Sequence, residues 1–154
     1  MTYSLPTLKS GLTGHAELVV GPEHTAPHVG SGVVKVLATP ILVNLLEAAA
    51  LDAAEKHIAA GHQTVGIRLD VRHFAATPVG LLVKAQAEII AVDGRMLTFH
   101  VWAEDEVELI GDGTHERVII TLDKFDERMR AKSERGAPSV NRQASTSRPP
   151  PRES

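Results

Sequence analysis

A long apolar segment that begins at Pro40 is the most regular feature of the chain, and only Asn44 and Glu47 interrupt its first half. Thr39 is a good helix N-cap, Pro40 suits the first helical position, and Gly61 is typical of a helix stop. Apolar residues occur on every side of this segment, which favours a buried helix over one that lies on a surface. The pattern therefore predicts a helix inside the fold.

Beyond this helix, apolar residues occur at every second position, as in strands that bury one face. The segments with this pattern are 65–73, 81–91, 97–103 and 117–122. Asp93-Gly94 predicts a hairpin turn, Gly111-Asp112-Gly113 predicts a loop, and earlier strands are expected near 16–20 and 33–37. A buried helix followed by mostly antiparallel strands predicts an α+β fold in which a sheet wraps around a central helix.

The composition narrows the classes of function. A length of 154 residues suits one domain, and a net charge of −3 provides no positive field for binding nucleic acid or an anionic membrane. The lack of cysteine excludes disulfides, thiolate metal sites and a cysteine nucleophile, and it fits a reducing compartment. With no signal-like N-terminus and no apolar run long enough to span a membrane, we expect a cytoplasmic protein.

The end of the chain differs in composition from the rest. Residues 131–154 contain almost no large apolar side chains and finish in a proline-rich stretch. Such a segment cannot bury enough apolar surface to offset the entropy of ordering. We therefore expect one folded domain over residues 1–130 and a disordered tail over residues 131–154.

Two polar residues stand where this pattern calls for apolar ones. Glu47 lies in the apolar helix, where an unpaired carboxylate is costly unless its pKa rises or it finds a partner. The inward face of the first strand after the helix is predicted to comprise Val65, Ile67, Leu69, Val71 and His73. The imidazole of His73 should then face the helix, and a carboxylate paired with an imidazole divides acid and base duties near neutral pH.

Each candidate also has a structural alternative. Glu47 could instead cap backbone donors or lie at the helix exit, although this is the less favoured interpretation. A lone histidine on an apolar face is more often a satisfied core residue, and Thr39 alone is explained by a simple N-cap. The Thr39 hydroxyl nevertheless lies at the positive end of the helix, where a thioester carbonyl or an oxyanion would be stabilised. In an ideal helix Thr39 lies about 12 Å from Glu47. A working site therefore needs an irregular helix start or groups from two subunits.

The other candidate motifs give weaker evidence for a functional site. The acidic run at residues 104–108 has no interspersed histidine and predicts a solvated strand end rather than a cation site. His115-Glu116 is not followed by the second histidine of a zinc-protease helix, so no metal is implied. No G-x-S-x-G elbow is present, which argues against a serine hydrolase of the α/β type.

The chain closely resembles the fluoroacetyl-CoA thioesterase-like branch of the hot-dog superfamily from about Thr13 to Lys132. Four stretches carry the resemblance, and their order and spacing are specific. They are Ala38-Thr39 followed by Glu47, the strand centred on Gly66, His73 with Ala75-Ala76-Thr77-Pro78, and Gly113-Thr114-His115-Glu116-Arg117 running on to Lys124-Phe125.

The resemblance implies a hot-dog fold and a catalytic set of Thr39, Glu47 and His73. It places Gly66 near the thioester and Arg117 near the acyl-CoA site, where Arg117 is suggested to meet CoA phosphates. It also implies no metal and no cofactor, and a homodimer with active sites at the subunit interface, leaving pairing of dimers into tetramers open.

The lid before the helix departs from the family pattern. The fluoroacetyl-selective member carries phenylalanines there, whereas this chain has Gly30-Ser31-Gly32-Val33 and no aromatic residue from 25 to 36. We expect Val33 to contact the substrate. We also expect that substrate to be a small generic acyl-CoA rather than fluoroacetyl-CoA.

Together with the resemblance, the sequence predicts an acyl-CoA thioesterase. The alternatives are a non-catalytic acyl-CoA or small-ligand binding protein of the same fold and, less favoured, a hot-dog hydratase, whose usual Gly-Asp-x-Asn-Pro stretch is missing.

Overall fold

The computed structural model describes residues 7–136. Its elements in chain order are β1 (Thr13–Val19), a short 3-10 helix (Pro22–His24), α1 (Ala26–Val29), α2 (Thr39–Glu55), β2 (His62–His73), β3 (Leu82–Asp93), β4 (Met96–Glu104), β5 (Leu109–Thr121) and α3 (Leu122–Gly136). The strands form one antiparallel sheet in the order β1-β3-β4-β5-β2. The predicted α+β class is confirmed.

Helix α2 packs with one side against the inner face of this sheet. The buried helix residues are Leu42, Leu45, Leu46, Ala49, Ala50, Ala53 and Ala54. Their sheet partners in the core are Val83, Ala85, Ala87, Ile89, Leu97, Phe99, Val101 and Ala103. The alternation predicted for β3 and β4 therefore produces most of the core. Gly14 in β1 permits the closest approach, because a Cβ there would overlap the backbone of Ala49 and Ala53.

The prediction that α2 is buried on every side is wrong for this single chain. Asn44 and Ala48 are exposed on the side of the helix away from the sheet, and Glu47 is only half-buried. The physical reason is that a helix lying on one sheet face contacts that sheet with one side only. The helix also ends at Glu55, before the predicted stop at Gly61.

A β-bulge in β2 changes which residues face inward. Gly66 pairs with Arg117 and Arg68 with Glu116, so one extra residue, Ile67, lies between two consecutive pairs. A bulge of this kind shifts the alternation of faces by one position. Leu69, Val71 and His73 share the inner face as predicted, since they pair with the inward positions of β5.

Before the bulge the inner face is reversed relative to the prediction. Thr64 and Gly66 occupy it, opposite the buried Ile119 and Arg117 of β5. The inward assignment of Val65 and Ile67 is therefore wrong. A similar bulge between Ile89 and Ala91 in β3 explains why Ala91 is exposed rather than inward.

Two further segments differ from expectation. Gly111-Asp112-Gly113, predicted as a loop, lies inside β5, where a Cβ at Gly113 would overlap the carbonyl oxygen of Asp70 in the neighbouring strand. The expected strand near 33–37 is reduced to isolated bridges from Val36 to Pro78 and from Leu37 to Thr25. None of the described helices is both long and apolar enough to cross a membrane.

The chain separates into two compact units, the first ending at Leu122 and the second beginning at Asp123. Helix α3 continues the chain through residue 130, where the sequence placed the domain boundary, and ends at Gly136. Within it, the guanidinium of Arg128 lies 5.8 Å from the centre of the Phe125 ring. The predicted tail is wrong for residues 131–136, which are the last residues of this helix and need no core to form one, since a helix satisfies its own backbone hydrogen bonds. Residues 137–154 lie outside the described residues, so the rest of the tail stays a prediction.

Candidate active site

Thr39 and His73 meet where α2 begins and β2 ends. Thr39 Oγ1 and His73 Nδ1 are 2.8 Å apart and share a hydrogen bond. Thr39 is not the N-cap that the sequence suggested, because Ala38 holds the extended cap conformation and Thr39 is the first helical residue. Its hydroxyl is thereby directed to the imidazole instead of capping the helix backbone.

The environment of His73 keeps its imidazole neutral. Burial lowers the pKa of His73 below the ordinary value of 6.5, and a backbone interaction with Ala75 offsets part of this effect. Its second nitrogen, Nε2, is buried and has no hydrogen-bond partner within residues 7–136. A buried imidazole nitrogen without a partner is costly, which makes this atom available to a ligand or to a group from another chain.

A cavity of about 310 Å³ opens beside this pair. Thr39, His73 and Phe74 line it together with the small residues Ala26, Ser31, Ala38, Ala75 and Ala76. Phe74 is 51% exposed and provides the only phenyl ring among the lining residues. Val33, predicted to contact substrate, is 91% exposed and does not line this cavity in the described chain.

Glu47 lies in a second polar cluster, about 12 Å further along α2 than Thr39. Its Oε2 is 3.3 Å from Arg117 Nη1, and the Glu47 side chain is 38% exposed whereas that of Arg117 is only 8% exposed. Burial lowers the pKa of Arg117, and the negative charge of Glu47 opposes that effect. The ion pair therefore holds the carboxylate from its buried side and leaves the rest of it open.

Arg117 is held by three further hydrogen bonds. Its Nε donates to Thr64 Oγ1 at 2.9 Å, its Nη2 to the Thr64 carbonyl at 3.0 Å, and its Nη1 to His115 Nε2 at 3.2 Å. A guanidinium engaged in this way is a fixed support for Glu47. This burial does not fit the suggestion that Arg117 meets CoA phosphates at the mouth of the pocket.

Gly66 completes the second cluster. A Cβ at this position would lie 2.9 Å from Glu47 Oε2 and 3.1 Å from His115 Cε1. No side chain fits there without displacing the carboxylate. Glycine thus keeps the space in front of Glu47 open.

The chain therefore brings its predicted site residues together in two groups. The first contains Thr39 and His73, and the second contains Glu47, Gly66 and Arg117. The groups are separated by about 12 Å along α2 and by roughly 20 Å along β2. Within one chain Glu47 pairs with Arg117 rather than with His73.

A comparison with protein families identifies the family to which this chain belongs. The model of the FlK family, described as fluoroacetyl-CoA-specific thioesterase, matches residues 20–123. The chain belongs to this family. Both groups of site residues lie inside the matched range.

Individual relatives of this FlK-family chain agree. A fluoroacetyl-CoA thioesterase from Streptantibioticus cattleyicolor is 42% identical over 102 residues, which cover 66% of this chain and 73% of the relative. A variant of FlK solved with acetyl-CoA is 36% identical with a TM-score of 0.77, covering 82% of this chain and 99% of that one. A hot-dog-like protein from Thermanaerovibrio acidaminovorans, 19% identical, covers 80% of this chain and 91% of its own with a TM-score of 0.73. The hot-dog fold expected from the sequence is confirmed.

Sequence reasoning missed several residues of this FlK-family site. Thr64 was not assigned to the inner face of β2, because the sequence did not predict the bulge in that strand. His115 was considered only as a metal ligand and set aside, although it alternates in register with Arg117 along β5. Phe74 directly follows His73, and this adjacency was the signal that could have placed it at the cavity.

Proposed function

We propose that the protein is an acyl-CoA thioesterase that hydrolyses a small acyl-CoA to a free carboxylic acid and CoA. The observation that carries the proposal is the FlK-family match over residues 20–123, which includes Thr39, Glu47 and His73. Two of the relatives support it further, the fluoroacetyl-CoA thioesterase that is 42% identical and the FlK variant solved with acetyl-CoA. In this proposal those three residues are catalytic, Gly66 and Val33 contact the substrate, and Arg117 contributes to binding only through the Glu47 carboxylate that it holds.

The Thr39–His73 pair suits the thioester carbonyl. It lies at the first turn of α2, where the positive end of the helix dipole favours a developing oxyanion. The hydrogen bond of 2.8 Å fixes the imidazole relative to the hydroxyl. His73, neutral near pH 7 because its pKa is lowered, then transfers protons between the attacking group and the departing CoA sulfur.

Glu47 supplies the negative charge that hydrolysis requires. Its carboxylate either removes a proton from the attacking water or attacks the carbonyl carbon itself. In the first case the water oxygen bonds to the carbonyl carbon and the carbon–sulfur bond breaks. In the second, an acyl anhydride forms on Glu47 with release of CoA, and water then cleaves it. Both routes end in the same acid and the same thiol.

Bringing Glu47 to His73 requires a second copy of the chain. Within one chain the two groups are separated, which supports a homodimer whose sites combine Thr39 and His73 of one subunit with Glu47 of the other. The uncovered side of α2 favours this arrangement, because Glu47 is the only charged residue from Pro40 to Leu51. An exposed helix side without charges is typical of a surface that another subunit covers.

The first experiment measures release of CoA thiol from acetyl-, butyryl-, octanoyl- and fluoroacetyl-CoA. We expect turnover of short acyl groups by the wild type and a loss of at least about 100-fold in kcat for Glu47→Gln and for His73→Ala. Glu55→Gln, an exposed glutamate of the same helix, and His100→Ala are the matched controls. Equal rates in all variants would remove the proposed mechanism, and saturable binding without thiol release would identify a binding protein instead.

The second experiment mixes the two inactive variants to test the shared site. A dimer of Glu47→Gln with His73→Ala contains one intact site, formed by His73 of the first chain and Glu47 of the second. Random exchange of subunits should then restore about one quarter of the wild-type rate. If each site lies within one chain, mixing restores nothing, since every chain carries a defect. Light scattering on the same samples shows whether dimers pair into tetramers.

The proposal for the cellular compartment rests on the amino-acid composition. The chain has no cysteine, which fits a reducing environment. We propose the cytoplasm, and fractionation of cells that express a tagged full-length chain tests this assignment.

A further inference from the structure

His115 is a fully buried histidine that the catalytic scheme above does not use. It lies on the inner face of β5, two residues before Arg117, with no exposed surface. The Phe99 ring of β4 packs beside it at a centroid distance of 6.0 Å. Both of its ring nitrogens have partners, as buried polar groups normally do, so the identity of those partners decides what His115 does.

The two partners of His115 define one protonation state. Arg117 can only donate, so its Nη1, at 3.2 Å, requires His115 Nε2 to accept. The Arg68 carbonyl can only accept, so its oxygen, at 2.8 Å, requires a proton on His115 Nδ1. Both contacts are satisfied together only by the neutral Nδ1–H tautomer.

These contacts connect the bulge of β2 to the carboxylate of the site. Arg68 is the first paired residue after the bulge, and Arg117 is the residue that holds Glu47 at 3.3 Å. Resting on the proposed thioesterase function, we propose that His115 is a positioning residue: as a neutral acceptor it orients the Arg117 guanidinium, which in turn holds Glu47 in its reactive position.

The charges around His115 fit this role. Burial lowers the pKa of His115, and the positive charge of Arg117 adds to the effect. The hydrogen bond to the Arg68 carbonyl opposes it, as do the negative charges of Glu47 on α2 and Glu116 on β5. The neutral form therefore persists below the ordinary value of 6.5. A protonated imidazole would place a second positive charge against Arg117 and lose the acceptor.

Two substitutions separate the two contacts of His115. In His115→Gln the amide oxygen reaches about as far as Nε2 and accepts from Arg117. In His115→Asn the shorter amide donates to the Arg68 carbonyl but does not reach Arg117. His115→Leu removes both contacts. Thiol release, KM and thermal unfolding are measured for all three variants and the wild type.

We expect His115→Gln to keep kcat within about threefold of wild type, and His115→Asn and His115→Leu to lose up to about 100-fold, as small misplacements of a reacting group do. KM should change little, since His115 does not touch substrate. The proposal is overturned if His115→Asn is as active as His115→Gln, or if His115→Leu keeps the wild-type kcat. Should the leucine variant fail to fold, the glutamine–asparagine pair still decides.

A second measurement does not depend on activity. Nitrogen NMR of the histidine rings, assigned with His115→Gln, reports the tautomer and charge of His115 between pH 8 and pH 5. We expect the Nδ1–H tautomer with no titration near 6.5. An Nε2–H tautomer, or an ordinary titration, overturns the proposal. A wild type that releases no thiol from any acyl-CoA would refute the proposed function, and the NMR result would then judge His115 by itself.

Discussion

Replacing Arg117 by lysine tests how much the second cluster depends on the shape of the guanidinium rather than on its charge. The Arg117 side chain is 8% exposed and donates to Thr64 twice, to His115 and to Glu47. These acceptors surround a planar fork on different sides. A lysine ammonium is a single point with three donors, so it can serve one side of this set but not both.

The expected cost follows from the bonds that lysine gives up. If the ammonium stays with Glu47 and His115, the hydrogen bonds to Thr64 Oγ1 at 2.9 Å and to the Thr64 carbonyl at 3.0 Å are lost. Hydrogen bonds to a charged donor contribute about 1.5–3 kcal/mol each, and relaxation of the Thr64 acceptors around the smaller side chain lowers the total for the two. We therefore expect Arg117→Lys to reduce the free energy of unfolding by about 2–4 kcal/mol.

Thermal unfolding and urea denaturation at one fixed protein concentration measure this loss, because the stability of an oligomer depends on concentration. For a chain of this size the expected fall in Tm is roughly 5–15 °C. Arg95→Lys, at an exposed arginine beside the β3–β4 turn, is the control and should change stability by less than about 0.5 kcal/mol. The reasoning is refuted if Arg117→Lys is no more destabilising than Arg95→Lys.

Three further predictions address the site directly. Thr39→Val should lower kcat for thiol release by about 100-fold while Thr39→Ser stays near wild type, because only the hydroxyl bonds His73; equal rates would assign Thr39 a purely structural role. Gly66→Ala should lower kcat by at least about tenfold and lower Tm slightly, since the new methyl group meets Glu47 Oε2 at 2.9 Å and His115 Cε1 at 3.1 Å. An unchanged kcat would contradict the open space assigned to this position. Burial lowers the pKa of both His73 and His115 from 6.5 in the folded protein, so the unfolded chain takes up protons first as the pH falls. The free energy of unfolding should therefore be highest above pH 6.5 and decrease as the pH falls through the lowered pKa values of the folded state. Urea titrations should show a shallower fall for His115→Gln, and an identical slope would mean that His115 titrates normally.

The fold was predictable to the extent that its core follows simple periodicity. Leu97, Phe99, Val101 and Ala103 alternate without interruption along β4, and all four are buried. The helix near Pro40 was equally predictable from Pro40 and its apolar content, although its ends were not: the N-cap is Ala38 rather than Thr39, and the helix ends at Glu55 rather than near Gly61. The pattern indicated the side that stays uncovered in a single chain only through Asn44 and Glu47, because the rest of the first half of the helix is apolar.

The candidate site was predictable by residue type but not by grouping. Glu47 and His73 were recognisable because each breaks an apolar pattern, and Thr39 because it begins the helix. Their separation into two clusters follows from the length of α2 and from the pairing of Glu47 with Arg117, a residue 70 positions away in sequence. Contacts of that range have no local signal, and the supporting roles of Thr64 and His115 depend on them.

The β2 bulge is what makes one strand contribute to both clusters. Gly66 and His73 are an odd number of residues apart, so in a regular strand their side chains would point to opposite faces. The extra residue Ile67 shifts the alternation once, and both positions then face α2. Gly66 can thereby leave room for Glu47 while His73 meets Thr39. The hydrogen bond from His115 to the Arg68 carbonyl anchors the strand directly after this bulge. The bulge that made the predicted inward face of β2 wrong at Val65 and Ile67 is thus the feature on which the geometry of the site depends.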